Sequence, residues 1–420
     1  MGYTLTEKIL MKNTGKDSIK PGDLIIAKVD RVMVHDIFAP FVIEKFREMG
    51  FEKVWNPDKI VFVYDHLIPT SFIEDSRHHK IGDVFAAEQG IQAVHRVDGV
   101  CHQLMPELRY VTPGQVAFGT DSHTTTYGAV GAFSTGIGYT EMAAIFGTGQ
   151  LWLKVPPTIK FIINGELPEG VYAKDIILRI LGDIGADGAT YKAMEFGGST
   201  IDSLSIAGRM TLCNMAVEAG AKAGVIAPDD KTFAFSGVDA SEYQDLKSDP
   251  DAFYEKVIEY DASQFKAVVA CPSNVDNIKD VEELIGTTID QGFIGSCTNG
   301  RLEDLEIAAR ILKGRKVAPY KKLIVTPASK SIYAEAARNG IIGILVEAGA
   351  IVNPPGCGLC CGRSGGIVSD GERVIATNNR NFLGRMGGPK SEIFLASPAT
   401  VAAAVVEGKI VDPKKYLVKA

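Results

Sequence analysis

Short β-rich runs, each ending at a polar or glycine-rich turn and followed by a helical pattern, recur along the chain. Residues 59–64 lead into Asp65 and His66. Residues 116–118 lead into the stretch from Gly119 to His123, with a helix expected from near Thr140. Residues 292–294 lead into Gly295 to Asn299, then a charged amphipathic helix over 302–312. Runs at 322–325, 350–352 and 372–376 behave alike. Strands alternating with helices imply α/β layers of mostly parallel sheets. Ligands in such sheets lie beyond the carboxyl ends of the strands, and the polar clusters all fall there.

A chain of 420 residues is too long for one hydrophobic core. Val155, Pro156 and Pro157 close a first segment, residues 228–251 are charged and turn-rich and are expected to carry surface loops, and 261–290 lead into the cysteine-bearing part. Three α/β domains are therefore expected: 1–157, 158–262 and 263–420. Net charge is −7 with no basic block, which argues against a nucleic-acid partner. Charged residues interrupt the N-terminal apolar stretch, so no signal peptide is expected. The most apolar run, 341–352, is broken by Glu347 and is too short to span a bilayer, so no membrane role is expected. Seven cysteines in a chain of this size do not suggest a disulfide scaffold, and a reducing cytoplasm suits them better.

Cys357 and Cys360 form a C-x-x-C in a glycine-rich loop after a strand, and Cys297 lies sixty residues earlier, also just past a strand. Thiolates two residues apart can reach one iron–sulfur cluster or one metal. Spacing alone leaves a cluster, a zinc site, a redox pair and plain buried cysteines open. Closed zinc needs a fourth ligand, and Cys361, Cys271, Cys213 and Cys101 supply no second C-x-x-C. Cys361 reads as a bystander and Cys213 as packing within a helix.

Further segments carry a resemblance. Ser296 to Asn299, Gly356 to Cys360 and Asn379 to Arg385 occur in the order found in the aconitase superfamily of hydro-lyases. Asp65-His66, Cys101 to Gln103, Gly119 to Thr124 and Cys213 to Glu218 match other segments of that family, so the resemblance covers nearly the whole chain. It implies an aconitase-like core of three domains, with mostly parallel sheets flanked by helices and a cluster at the domain junction. Single-chain members carry a fourth, swivelling domain. Here the sequence reaches Ala420 shortly after the third domain, so the resemblance implies a separate small subunit that supplies the swivelling domain and the catalytic base.

The same resemblance implies roles. Cys297, Cys357 and Cys360 would hold one 4Fe–4S cluster whose open fourth iron takes the hydroxyl and a carboxylate of a small di- or tricarboxylate. Water would leave and return across a C–C bond. His66 with Asp65, His102 with Asp121 and His123 with Glu218 would form three acid/base pairs, His66 being the acid toward the departing hydroxyl. His102 and His123 would order water. Arg380 and Arg385 would bind carboxylates, Ser122 the substrate, and Asn214 and Asn379 the cluster sulfides. His35 stands where single-chain members have a substrate-contacting glutamine. Asn214 and Glu218, four apart, are expected on one helical face. A cluster-based sensor and a structural zinc protein are the competing classes; the acidic balance and retained acid/base pairs count against the first.

Overall fold

The computed structural model describes residues 2–417. Its strands form three larger sheets and one antiparallel ribbon, Leu24–Lys28 with Gln150–Lys154. The first sheet is wholly parallel, in the order Val94–Arg96, Ile60–Tyr64, Arg31–His35, Val116–Gly119, Phe133–Gly136. Its strand Ile60–Tyr64 is buried at every position, as expected of a strand covered on both faces. The helix Ala39–Glu48 packs on Ile73–Gln89 and Tyr139–Thr148, with Phe46, Phe62, Phe85 and Phe146 interleaved at 5.5 to 6.5 Å between rings.

The second sheet is also parallel: Ala223–Ile226, Ala193–Gly197, Thr158–Asn164, Lys256–Asp261. In the third, five parallel strands run Glu392–Leu395, Arg373–Ala376, Gln291–Ile294, Lys322–Val325, Ile351–Val352. Val268–Ala270 and Ile278–Asp280 extend its first edge antiparallel. The three sheets therefore use residues 31–136, 158–261 and 268–395. One buried cluster, including Met33, Phe161, Met210, Phe293 and Leu395, joins all three.

The polar turns do follow the strands. Asp65 and His66 leave Ile60–Tyr64, Thr120 and Asp121 leave Val116–Gly119, Cys297 follows Gln291–Ile294, and Thr377 to Arg380 leave Arg373–Ala376. The turn-rich stretch 228–251 is not all loop. It contains the helix Asp230–Ser236, because the Asp229 carboxylate accepts from the Thr232 N–H and caps it while Phe233 turns inward. Among the described residues no helix is long and apolar enough to cross a membrane.

Candidate active site

The ends of the first and third sheets meet around a cavity of about 640 Å³. His35, His66, Asp121, Ser122, Arg380 and Arg385 line it. Strand ends supply Asp65, His66 and Asp121, the helix Cys101–Glu107 supplies His102, and the 3₁₀ segments Ser122–Val130 and Ala216–Ala219 supply His123 and Glu218. His66, His102 and His123 each meet a carboxylate. His66 Nδ1 donates to Asp65 Oδ1 at 2.6 Å. His102 Nε2 lies 2.8 Å from Asp121 Oδ1, and His123 Nε2 lies 2.7 Å from Glu218 Oε1. Asp121 is the hub, because His123 Nδ1 is 3.3 Å and His66 Nε2 3.6 Å from the same carboxylate group.

Charge follows from this geometry. Burial alone would push His66 down, but Asp65 and Asp121 outweigh it and hold the imidazole well above its usual range. The two carboxylates thus favour the protonated imidazole, with Nε2 turned toward Asp121. His123 is raised too, Asp121 and Glu218 overcoming burial and the Arg380 charge. Burial works against ionisation of Asp121 and Glu218, yet the histidines, with Arg380 beside Glu218, keep both below the usual carboxylate range.

His35 differs. Burial first, then the charge of His66, hold it down to about 4. Its ring stacks on His66 at 4.3 Å, and its Nδ1 accepts from the Ile37 N–H. The proton of this neutral imidazole therefore sits on Nε2. That atom is buried without a partner among the described residues, as is Arg385 Nε, and both residues line the cavity. Two unmet donors in a polar cavity wall call for an oxygen-rich occupant.

The three cysteines are buried (4, 4 and 2% exposed for Cys297, Cys357 and Cys360) and free. Amide groups face them. Asn214 Nδ2 donates to Cys297 Sγ at 3.2 Å, Asn379 Nδ2 reaches the same sulfur at 3.5 Å, and the Cys360 thiol donates to Asn379 Oδ1 at 3.4 Å. The Cys357 thiol's hydrogen bond holds the Cys360 thiol down, and the Arg385 guanidinium, 3.7 Å from its sulfur, adds to this. Among the described residues, the groups of three ligand atoms close enough to share one ion are His35 with His66 and Asp121, and Asp36 with Asp65 and His66. Neither includes a cysteine. Three buried soft thiols, Cys357 and Cys360 close together and Cys297 amide-bonded by Asn214 and Asn379, fit a polynuclear iron–sulfur group, whereas the three do not gather tightly enough to share a single ion.

Arg380 is engaged already: its Nε donates to Glu218 Oε1 at 2.8 Å and its Nη2 to Ser122 Oγ at 2.9 Å. Asn214 and Glu218 both reach the site, but not along one α-helix. The helix Ile206–Met215 ends after Asn214, and Glu218 sits in a 3₁₀ turn, Ala216–Ala219. The tighter turn re-aims Glu218 toward His123. Sequence reasoning missed Asp36, fully buried, which accepts from the backbone N–H groups of His66 and Leu67. It also missed Tyr127, whose hydroxyl is 3.3 Å from His102 Nδ1, and Lys222 and Arg363 in the cavity wall. Asp36 lies next to His35 just past a strand, a position of the kind that flagged Asp65.

The family model for the aconitase family (aconitate hydratase) matches residues 7–408. The 3-isopropylmalate dehydratase large subunit 1 of Methanopyrus kandleri is 50% identical, covering 99% of this chain and 100% of that one. The large subunit 1 of the same enzyme from Thermotoga maritima is 49% identical over 99% of this chain and 100% of its own length. Among solved structures, the holo-form of Thermococcus kodakaraensis aconitase X matches with a TM-score of 0.50 at 12% identity, covering 90% of this chain and 89% of that one. This last likeness concerns the fold alone.

Proposed function

The chain belongs to the aconitase family, and on that premise we propose that it is the large subunit of a 3-isopropylmalate dehydratase. It removes water from 2-isopropylmalate and returns it to the neighbouring carbon, giving 3-isopropylmalate, in leucine biosynthesis. The observation that carries the reading is the convergence of three histidine–carboxylate pairs and two arginines beside three buried thiols, two of them in contact with side-chain amides.

Family membership implies a 4Fe–4S cluster, and we assign it to Cys297, Cys357 and Cys360. When bound, it supplies a Lewis-acidic fourth iron that polarises the substrate hydroxyl and a carboxylate. The chain's own residues do the rest. His66, kept cationic by Asp65 and Asp121, hands a proton from Nε2 to the departing hydroxyl. His102 and His123 hold the water through Asp121 and Glu218. Arg380 and Arg385 take the carboxylates in fork geometry, with Ser122 beside them. His35 donates from Nε2 to a substrate oxygen. Ile37, Phe38, Ile137 and Val217 give the cavity an apolar wall suited to a branched alkyl group.

The group that removes the carbon-bound proton is assigned to a separate small subunit with the swivelling domain. A division into domains 1–157, 158–262 and 263–420 is supported by the sheets nested inside those limits. Seven free cysteines suit a reducing cytoplasm.

The test is anaerobic reconstitution followed by assay with and without the small subunit. The chain alone is expected to take up the cluster and turn over little. Full activity alone would overturn the partner assignment. Comparing isopropylmalate, homocitrate, methylmalate and citrate on the assembled pair tests the substrate; a preference for homocitrate would make it a homoaconitase instead.

A further inference from the structure

Lys174 stands in the first turn of the helix Ala173–Ile184, is 0% exposed, and has no place in the chemistry above. Its ammonium donates to the carbonyls of Thr377 and Asn378, both at 2.7 Å. Among the described residues no carboxylate forms an ion pair with it. Its neighbour Asp175 is turned to the backbone N–H groups of Val268 and Tyr172. A buried charge met only by neutral carbonyls is costly, since the desolvation is not offset by an opposite charge. Burial pushes Lys174 down to about 7, and the groups that push it back up are first Cys297 and Cys360.

The two carbonyls lie in a particular place. Residues 377–380 leave a strand of the third sheet, and the next two residues are Asn379, which bridges Cys297, Cys360 and Asn214, and Arg380, which binds Glu218. The Thr377 carbonyl also accepts from Thr298 Oγ1 at 2.8 Å, and Gly295 N–H donates to Thr377 Oγ1 at 2.9 Å. Lys174 therefore sits at the knot between the Cys297 turn and the Asn379 segment. A second buried cation repeats the pattern: Arg301 donates to the carbonyl of Cys297 at 2.5 Å, and to that of Thr298.

We propose that Lys174 is the buried counter-charge of the cysteine-bound cluster, a positioning residue that stabilises the ligated thiolates and raises the cluster's reduction potential. This rests on the cluster assignment made above. A cation in a low-dielectric interior favours the more negative of two states, so it favours thiolate over thiol and reduced over oxidised cluster.

The experiment compares wild type, Lys174→Met and Lys174→Gln in the full chain, before and after anaerobic reconstitution, with the small subunit present for activity. Methionine removes charge and donor; glutamine removes the charge and keeps a donor. Both cluster-free variants are expected to melt at or above the wild-type temperature. Once loaded, both should gain less in melting temperature from the cluster than wild type does. Both should release iron to a chelator about tenfold faster, with a potential lower by about 59 mV, a tenfold shift for a one-electron couple. Wild-type values in the glutamine variant would overturn the proposal, because they assign the role to hydrogen bonding. Equal destabilisation with and without cluster, or failure of both variants to fold before loading, would overturn it too, because the role would then belong to the fold. A wild-type chain that takes up no cluster sinks the functional reading together with this one. Normal uptake with variants indistinguishable from wild type sinks this one alone.

Discussion

Glu218 shows how much one side chain carries. A single oxygen, Oε1, faces both His123 Nε2 and Arg380 Nε. Glu218→Gln keeps the shape but removes the charge both partners need. The kcat is expected to fall by about 10²- to 10⁴-fold, KM to rise as Arg380 loses its orienting carboxylate, and stability to drop by about 1–3 kcal/mol. Steady-state kinetics on the assembled enzyme and thermal melting check this; activity within a few-fold of wild type would contradict it. At the same scale, legibility in the sequence divides by distance along the chain. Asp65 and His66 are adjacent, and Cys357 and Cys360 share one turn, so local pattern exposes them. His123 meets Glu218 across 95 residues, and Lys174 meets Thr377 across 203. No window of sequence holds such a pair, so only a family resemblance could suggest the first, and nothing suggested the second.

Among the elements, close approach of backbone decides whether those pairs can form. The 3₁₀ segment Ser122–Val130, which carries His123, lies on the strand Ala223–Ile226. A Cβ on Gly128 would overlap the Gly224 carbonyl, and one on Gly224 would stand 2.8 Å from Ala216 Cβ. Gly128→Ala therefore forces backbone apart where neither side can yield, at a cost of at least about 3 kcal/mol, and moves His123 away from Glu218. Differential scanning calorimetry and assay of the same preparation check both effects; an unchanged melting temperature would refute the packing argument. The strands and their terminal turns were readable because burial on both faces demands continuous apolar runs, as in Ile60–Tyr64. The helix Asp230–Ser236 was not, because its signal is one capping aspartate in a charged stretch. The change from α to 3₁₀ after Met215 was hidden for a similar reason, since it answers to what Glu218 must reach rather than to local propensity.

Viewed whole, the molecule has a core that crosses its own divisions. A chain of this length is ordinarily expected to unfold in stages. Yet Met33, Met210 and Leu395, from segments far apart in sequence, share one buried cluster. The cluster-free chain is accordingly expected to unfold in one main transition, with calorimetric and van't Hoff enthalpies close to equal. Two or three resolved calorimetric peaks would count against a shared core.

The meeting of two sheets at one cavity also has a consequence in time. The acid/base half of the site is written early in the chain and the thiol half late. From Glu218, which completes the acid/base pairs, to Cys360 is a separation of 360 − 218 = 142 positions, which take roughly 7 to 28 s to synthesise at about 5–20 residues per second. Once Glu218 is made, a nascent chain holds every acid/base pair of the site while the last of the thiols assigned to the cluster is still to come. On the proposed cluster assignment, delivery of the metal is a closing event of the protein's manufacture, and whatever supplies it meets a chain whose histidine–carboxylate pairs are already made.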